Sequence, residues 1–164
     1  MVAIRKSNEE GHRRKFLVVV DDTPECDRAI VYAAKRAART GGVVVMLSII
    51  ASDDFQHWLG VEDLMRAEAT EEAEATLAKA SERVRSVART EPETVIREGN
   101  KSEAILDLID SDADIAILVL AAGMGSEGPG PLVSSIAGKA VGSFPIPVTI
   151  VPGNLDDDSI AALA

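Results

Sequence analysis

Aromatic side chains make up only 3% of the 164 residues, although hydrophobic residues make up 46%. The core must therefore be built from Val, Ile, Leu and Ala, a palette that suits buried β-branched strands packed by alanine-rich helices. There is one cysteine, Cys26, so no internal disulfide can form. The two histidines, His12 and His57, have no second ligand at metal spacing, and no zinc, Ser-His-Asp or paired-carboxylate pattern is present. No uncharged apolar stretch reaches the roughly 18 residues that span a membrane, and no apolar leader segment precedes the first strand. The chain is therefore expected to be cytoplasmic. Positive charge is also short: the formal net charge is −10. Such a surface repels phosphate backbones and anionic lipid, which argues against nucleic-acid and membrane partners.

What is present alternates between two periodicities. Phe16 to Val20 is a short β-branched run bounded by Asp21, Asp22, Thr23 and Pro24. Thr23 is expected to cap the helix that follows, with Pro24 in its first position. Ala29, Ile30, Ala33, Ala34 and Ala37 then recur at helical spacing until Gly41 and Gly42. Val43 to Ile50 reads as a second buried strand. A polar loop over 51–60 holds His57 and the only tryptophan, Trp58, which is read as a lid or a packing anchor. From Val61 to Arg89 one long helix carries Met65, Ala69, Ala73, Leu77, Ala80, Val84 and Val87 on a single stripe. Glu93 to Arg97 is a third strand, Ser102 to Asp112 a helix, and Asp114 to Leu120 a fourth, strongly apolar strand. A glycine-rich loop leads to a helix over Pro131 to Gly142, and Pro147 to Val151 is the fifth strand.

Alternation of this kind predicts an α/β fold: a five-stranded parallel sheet with helices on both faces. The segment 1–14 sets five basic residues, counting Lys15 at its border, against Glu9 and Glu10 and has no apolar run. It is read as a flexible basic tail. Residues 15–152 form the domain and 153–164 an acidic tail.

Ligands of such sheets sit at the carboxyl ends of strands, where strand order reverses. Two loops leave strands there: Asp21 to Thr23, and 121–135. Gly123, Gly125, Gly128 and Gly130 can bring backbone N–H groups close to a phosphate, and Ser134 and Ser135 can add hydroxyls; the competing reading is a long turn with no ligand. Gly123 to Gly128 spells G-x-G-x-x-G. The context fails, however, because that fingerprint belongs to a first βαβ unit followed by an acidic residue about 20 positions on. Asp21 either orients a base or holds a metal attached to phosphate, or is a helix-start carboxylate facing a dipole, a role that Asp22 and Thr23 share. Cys26, in a first helical turn without a partner histidine, is read as an inert small residue.

Three segments together resemble the universal stress protein family: Phe16 to Glu25, Gly99 to Ile105, and Ala113 to Val151 with Pro147-Val148 opening the last strand. The resemblance covers residues 15–152. It implies sheet order 3-2-1-4-5 and a homodimer through Pro147–Val151. For the members that bind ATP it implies a final loop reading Gly-x-x-Gly, nine residues, Gly-Ser/Thr. Here Ala121, Met124 and Ser134 stand at the glycine positions, with Gly123 and Gly125 beside two of them, while Asp21, Ile49 (a backbone contact to adenine) and Ser135 match. The implied cofactor is ATP or AMP, held by Asp21, Thr23, Ile49, Gly123, Gly125, Ser134 and Ser135. Three functions are thus expected, in order: a stress-response regulatory module that binds an adenine nucleotide, a protein-interaction module with a degenerate pocket and partners the sequence does not name, and a small nucleotide-hydrolysing or dinucleotide-dependent enzyme. The last ranks lowest because no general base stands beside a nucleophile.

Overall fold

A computed structural model of the chain describes residues 3–51, 61–138 and 140–164. Five strands form one all-parallel sheet in the order β3-β2-β1-β4-β5. They are β1 (Lys15–Val19), β2 (Val43–Ile50), β3 (Glu93–Glu98), β4 (Ile115–Ala122) and β5 (Val148–Pro152). The helices are α1 (Cys26–Thr40), α2 (Val61–Ala88), α3 (Lys101–Ser111), α4 (Pro131–Ala137) and α5 (Asp157–Leu163).

Alternate strand residues point to opposite faces, and the sheet sorts its apolar side chains accordingly. Phe16, Val18, Val44 and Met46 join Ala29, Ile30, Leu77, Val84 and Ile160 under α1, α2 and α5. Leu17, Val19, Val45 and Leu47 join Ile105, Ile109, Val133 and Ile136 under α3 and α4. The low aromatic content is thus matched by a core in which Ala33, Ala34 and Ala37 are fully buried, letting α1 lie close on the sheet. Helix α1 ends where Gly41 takes the left-handed conformation, φ 68°, and the N–H of the next residue, Gly42, donates to Ala37 O at 2.8 Å.

Several local outcomes differ from the sequence expectation. The helix expected over 131–142 stops at Ala137 and is followed by a 3-10 turn, Val141–Ser143. Gly138 leaves helical geometry with ψ −101°, and a Cβ there would stand 2.4 Å from Ser134 O. Thr23 does not cap α1; Glu25 occupies the cap position without a side-chain bond. Strand β5 starts one residue later than expected: Pro147 accepts from Leu118 N at 3.0 Å but has no N–H to donate.

The segments 3–14 and 153–164 are both held. Residues 3–14, expected as a flexible tail, lie instead along the amino-terminal edge of the sheet. Lys6 N donates to Ala113 O at 2.8 Å. Arg5 Nη1 reaches the carbonyls of Ile109, Asp112 and Ile115, satisfying the end of α3, whose last carbonyls have no helical partner. Arg13 donates to the carbonyls of Gly41 and Gly42, and His12 Nδ1 lies 2.6 Å from Asp114 Oδ1. These are side-chain-to-backbone attachments, which a search for apolar runs does not register. At the other end the acidic segment forms α5. Asp156 Oδ1 caps it, accepting from Ser159 N at 2.8 Å. Ile160 is fully buried against α1, and Arg39 donates to Ala164 O.

Candidate functional site

Strand β1 is central, with β2 on one side and β4 on the other, so the chain order reverses at its carboxyl end. Loops leaving neighbouring strands there diverge to opposite faces and open a crevice. Asp21 stands in that crevice and lines three adjoining cavities.

The first cavity, about 360 Å³, lies over the ends of β1 and β2. Val19, Ile49, Ile50, Ala69 and Ala73 supply apolar wall, and Asp21, Asp22, Ser48, Glu72 and Thr76 supply polar groups. The second, about 100 Å³, lies between the ends of β1 and β4. One side is Asp21, Thr23, Glu25 and Cys26; the other is Pro129 to Val133. Lys101, the first residue of α3, lines both. The third and largest, about 720 Å³, is a cleft between α1 and α2 with Val20, Cys26, Ile30 and Ala80 as floor and Lys79, Glu82 and Arg83 at its rim. The first two lie over the strand ends, where the fold gathers loops from different crossovers. The third lies between the two helices.

Asp21 holds its own loop. Its Oδ1 accepts from Thr23 N at 3.0 Å and from Thr23 Oγ1 at 2.5 Å. The Thr23 hydroxyl therefore serves the carboxylate two residues back and not the helix start, an Asx-type turn. Cys26 is buried with Sγ 3.6 Å from Val19 O. Burial pushes its thiol up to about 12, and the neighbouring Asp21, Asp27 and Glu25 carboxylates add to the rise. It is therefore a protonated, unreactive thiol at neutral pH. Burial opposes ionisation of Asp27, but the Arg83 and Arg28 guanidiniums outweigh it and hold this carboxyl below its usual range. Both arginines also bind Asp157, so α1, α2 and α5 are tied at one ionic junction.

The glycine-rich loop closes on itself. Gly123 N donates to Pro129 O at 3.0 Å and Gly128 N to Gly125 O at 3.1 Å. Gly130, at φ 110°, turns the chain into α4. The wall offered to the cavity is Pro129 to Val133. Of the residues singled out in the sequence, Asp21, Thr23 and Ile49 come together around the cavities. Gly123, Gly125, Ser134 and Ser135 line neither cavity over the strand ends, and both serines are exposed on α4. His57 and Trp58 lie outside the described residues. Lys101 was not anticipated. The available signal was a lysine at the first position of a helix, the end where the dipole disfavours a cation.

Among the described residues no three His, Cys, Asp or Glu side chains converge to hold a metal ion. No helix among them is long and apolar enough to cross a membrane. Among the described residues, the two cavities over the strand ends offer one cation, several carboxylates and an apolar shelf, the features of a small-molecule site.

A family model described as the universal stress protein family matches residues 12–152. None of the curated proteins matches the sequence. Solved structures do share the fold. Universal stress protein UspA from Lactobacillus plantarum is 19% identical over 84% of this chain and 97% of its own, with a TM-score of 0.68. The universal stress protein from Archaeoglobus fulgidus in complex with dAMP is 18% identical over 92% of this chain and 99% of its own, with a TM-score of 0.53. A universal stress protein family protein from Arabidopsis thaliana with AMP bound is 16% identical over 88% of this chain and 94% of its own, with a TM-score of 0.59.

Proposed function

The chain belongs to the universal stress protein family, and on that premise we propose that it is a stress-response regulatory module that binds an adenine nucleotide over the carboxyl ends of β1, β2 and β4. The observation that carries this reading is the position of Asp21, which stands in the wall common to the two cavities over the strand ends, with Ile49 on the adjacent apolar shelf. The base packs on the shelf of Ile49, Ile50, Ala69 and Ala73, the Asp21 carboxylate faces the sugar, and the phosphate leaves toward α3 and α4. Two structural neighbours hold dAMP and AMP, which favours this class of ligand. Equilibrium dialysis against AMP and ATP tests it. Saturable binding is expected, and the absence of any binding at millimolar nucleotide would overturn it.

One observation favours a second reading, a protein-interaction module. The loop after β4 is closed by the Gly123–Pro129 bond, and Ser134 and Ser135 are exposed and line neither cavity over the strand ends. A null dialysis result selects that reading. In either case we propose a homodimer through the outer edge of β5. That strand carries no charge, pairs among the described residues with β4 alone, and leaves Ile150 37% exposed. Unpaired edge N–H and C=O groups invite pairing with a second copy.

A further inference from the structure

Lys101 has no hydrogen bond or ion pair among the described residues. Lys15, Arg28, Arg66, Arg83 and Arg85 each hold a carboxylate. Nor does Lys101 serve its own helix. It is the first residue of α3, after the cap in which Asn100 Oδ1 accepts from Glu103 N at 3.2 Å, and the macrodipole opposes a cation there. It lines both cavities over the strand ends and is the only cation among the described residues that lines either.

The two cavities are unequal. The one on the Ile49 side has about 360 Å³ and a largely apolar shelf, the scale of a nucleoside. The one on the β4 side has about 100 Å³, with Asp21 and Glu25 among its polar groups and a far wall of Pro129 to Val133, in which Pro129 and Pro131 have no N–H to offer an anion while Gly130, Leu132 and Val133 do. Carboxylates line both cavities, Asp21, Asp22 and Glu72 in the larger and Asp21 and Glu25 in the smaller. A single anion is therefore matched by Lys101 where the cavities meet, and further negative charge meets carboxylates.

We propose that Lys101 makes this crevice selective for a nucleotide carrying a single phosphate. This rests on the nucleotide reading given above. The ammonium neutralises one 5′-phosphate through a charge-assisted hydrogen bond. A second and third phosphate extend into the small acidic cavity, where each adds repulsion from Asp21 and Glu25 and gains no further cation. The loop after β4 contributes shape, not charge, to this discrimination.

Titration calorimetry with adenosine, AMP and ATP, the last with and without magnesium, tests the assignment on the wild type, Lys101→Gln and Lys101→Arg. The wild type is expected to bind AMP about tenfold more tightly than adenosine and ATP no more tightly than adenosine. Lys101→Gln should bring AMP down to adenosine, and Lys101→Arg should restore much of the difference. Equal urea midpoints across the three proteins report that the fold is intact. ATP binding as tight as AMP binding overturns the proposal, as does a Gln variant that keeps the AMP preference. Adenosine binding with no gain from the phosphate overturns this proposal alone. Failure of all three ligands to bind overturns the nucleotide reading together with it.

Discussion

Asp21 binds Thr23 twice through one oxygen: Oδ1 accepts both the backbone N–H and the hydroxyl, and Oδ2 makes no hydrogen bond among the described residues. The loop is thereby fixed while one carboxylate oxygen stays open to the crevice. Asp21→Ala should remove both roles, lowering stability by about 1 kcal/mol and weakening nucleotide binding at least tenfold. Asp21→Asn retains an acceptor for Thr23, so it should restore stability more fully than binding. Urea midpoints and dialysis on the two variants separate the roles. Equal binding by wild type and Asp21→Ala would remove Asp21 from the site.

The junction of Arg28 and Arg83 with Asp27 and Asp157 should make the chain acid-sensitive. Arg83 and Arg28 also hold the Asp157 carboxyl below its ordinary value. Carboxyls held low in the folded state stabilise it above their ordinary value of 3.8. That contribution fades as pH falls from there through the lower folded values. Arg83→Gln should cost about 1 kcal/mol at pH 7, a figure discounted for the partial exposure of the partners. It should also flatten the stability loss between pH 5 and pH 3. Parallel urea–pH surfaces for the two proteins would show that the junction contributes nothing.

Ile150 stands on the outer strand, and a lysine there would set two like charges near a two-fold axis. Sedimentation equilibrium of the wild type should give a dimer mass, and Ile150→Lys a monomer. A wild-type monomer at tens of micromolar refutes the β5 interface. A dimer indifferent to the substitution places the contact on another surface.

Cys26 should be silent toward thiol reagents. With its thiol raised to about 12 and its sulfur buried against Val19, Ellman's reagent should label the native chain at no more than the rate of global unfolding, and label it fully in denaturant. Rapid native labelling would mean that the loop from Asp21 to Glu25 opens readily.

Most of the fold was legible because its signals are local. Phe16 to Val20 and Val43 to Ile50 are apolar on both faces, and the α2 stripe from Ala73 to Val84 repeats at helical spacing. Sheet order came from the family resemblance, since periodicity alone does not say which strands adjoin. Asp21 was singled out because topology places strand ends at the crevice, and Ile49 because of the family resemblance. The loop from Gly123 to Gly130 was harder to read. Its glycines announce conformational freedom, but which part of it faces inward is decided by the Gly123–Pro129 closure and the turn at Gly130. Lys101 enters from the β3–α3 turn, distant in sequence, and no local pattern ties it to Asp21. The docking of residues 3–14 escaped notice for a related reason: Arg5 binds carbonyls of residues more than a hundred positions away.

Arg5 and Arg39 hold the segment from residue 3 and the carbonyl of Ala164 to the amino-terminal side of the sheet, Arg5 through the last turn of α3. The crevice opens on the opposite side. A fluorophore or surface tether attached within residues 3–14 or at the carboxyl end of α5 would project away from the mouth and leave ligand access unobstructed, with the crevice presented to solution.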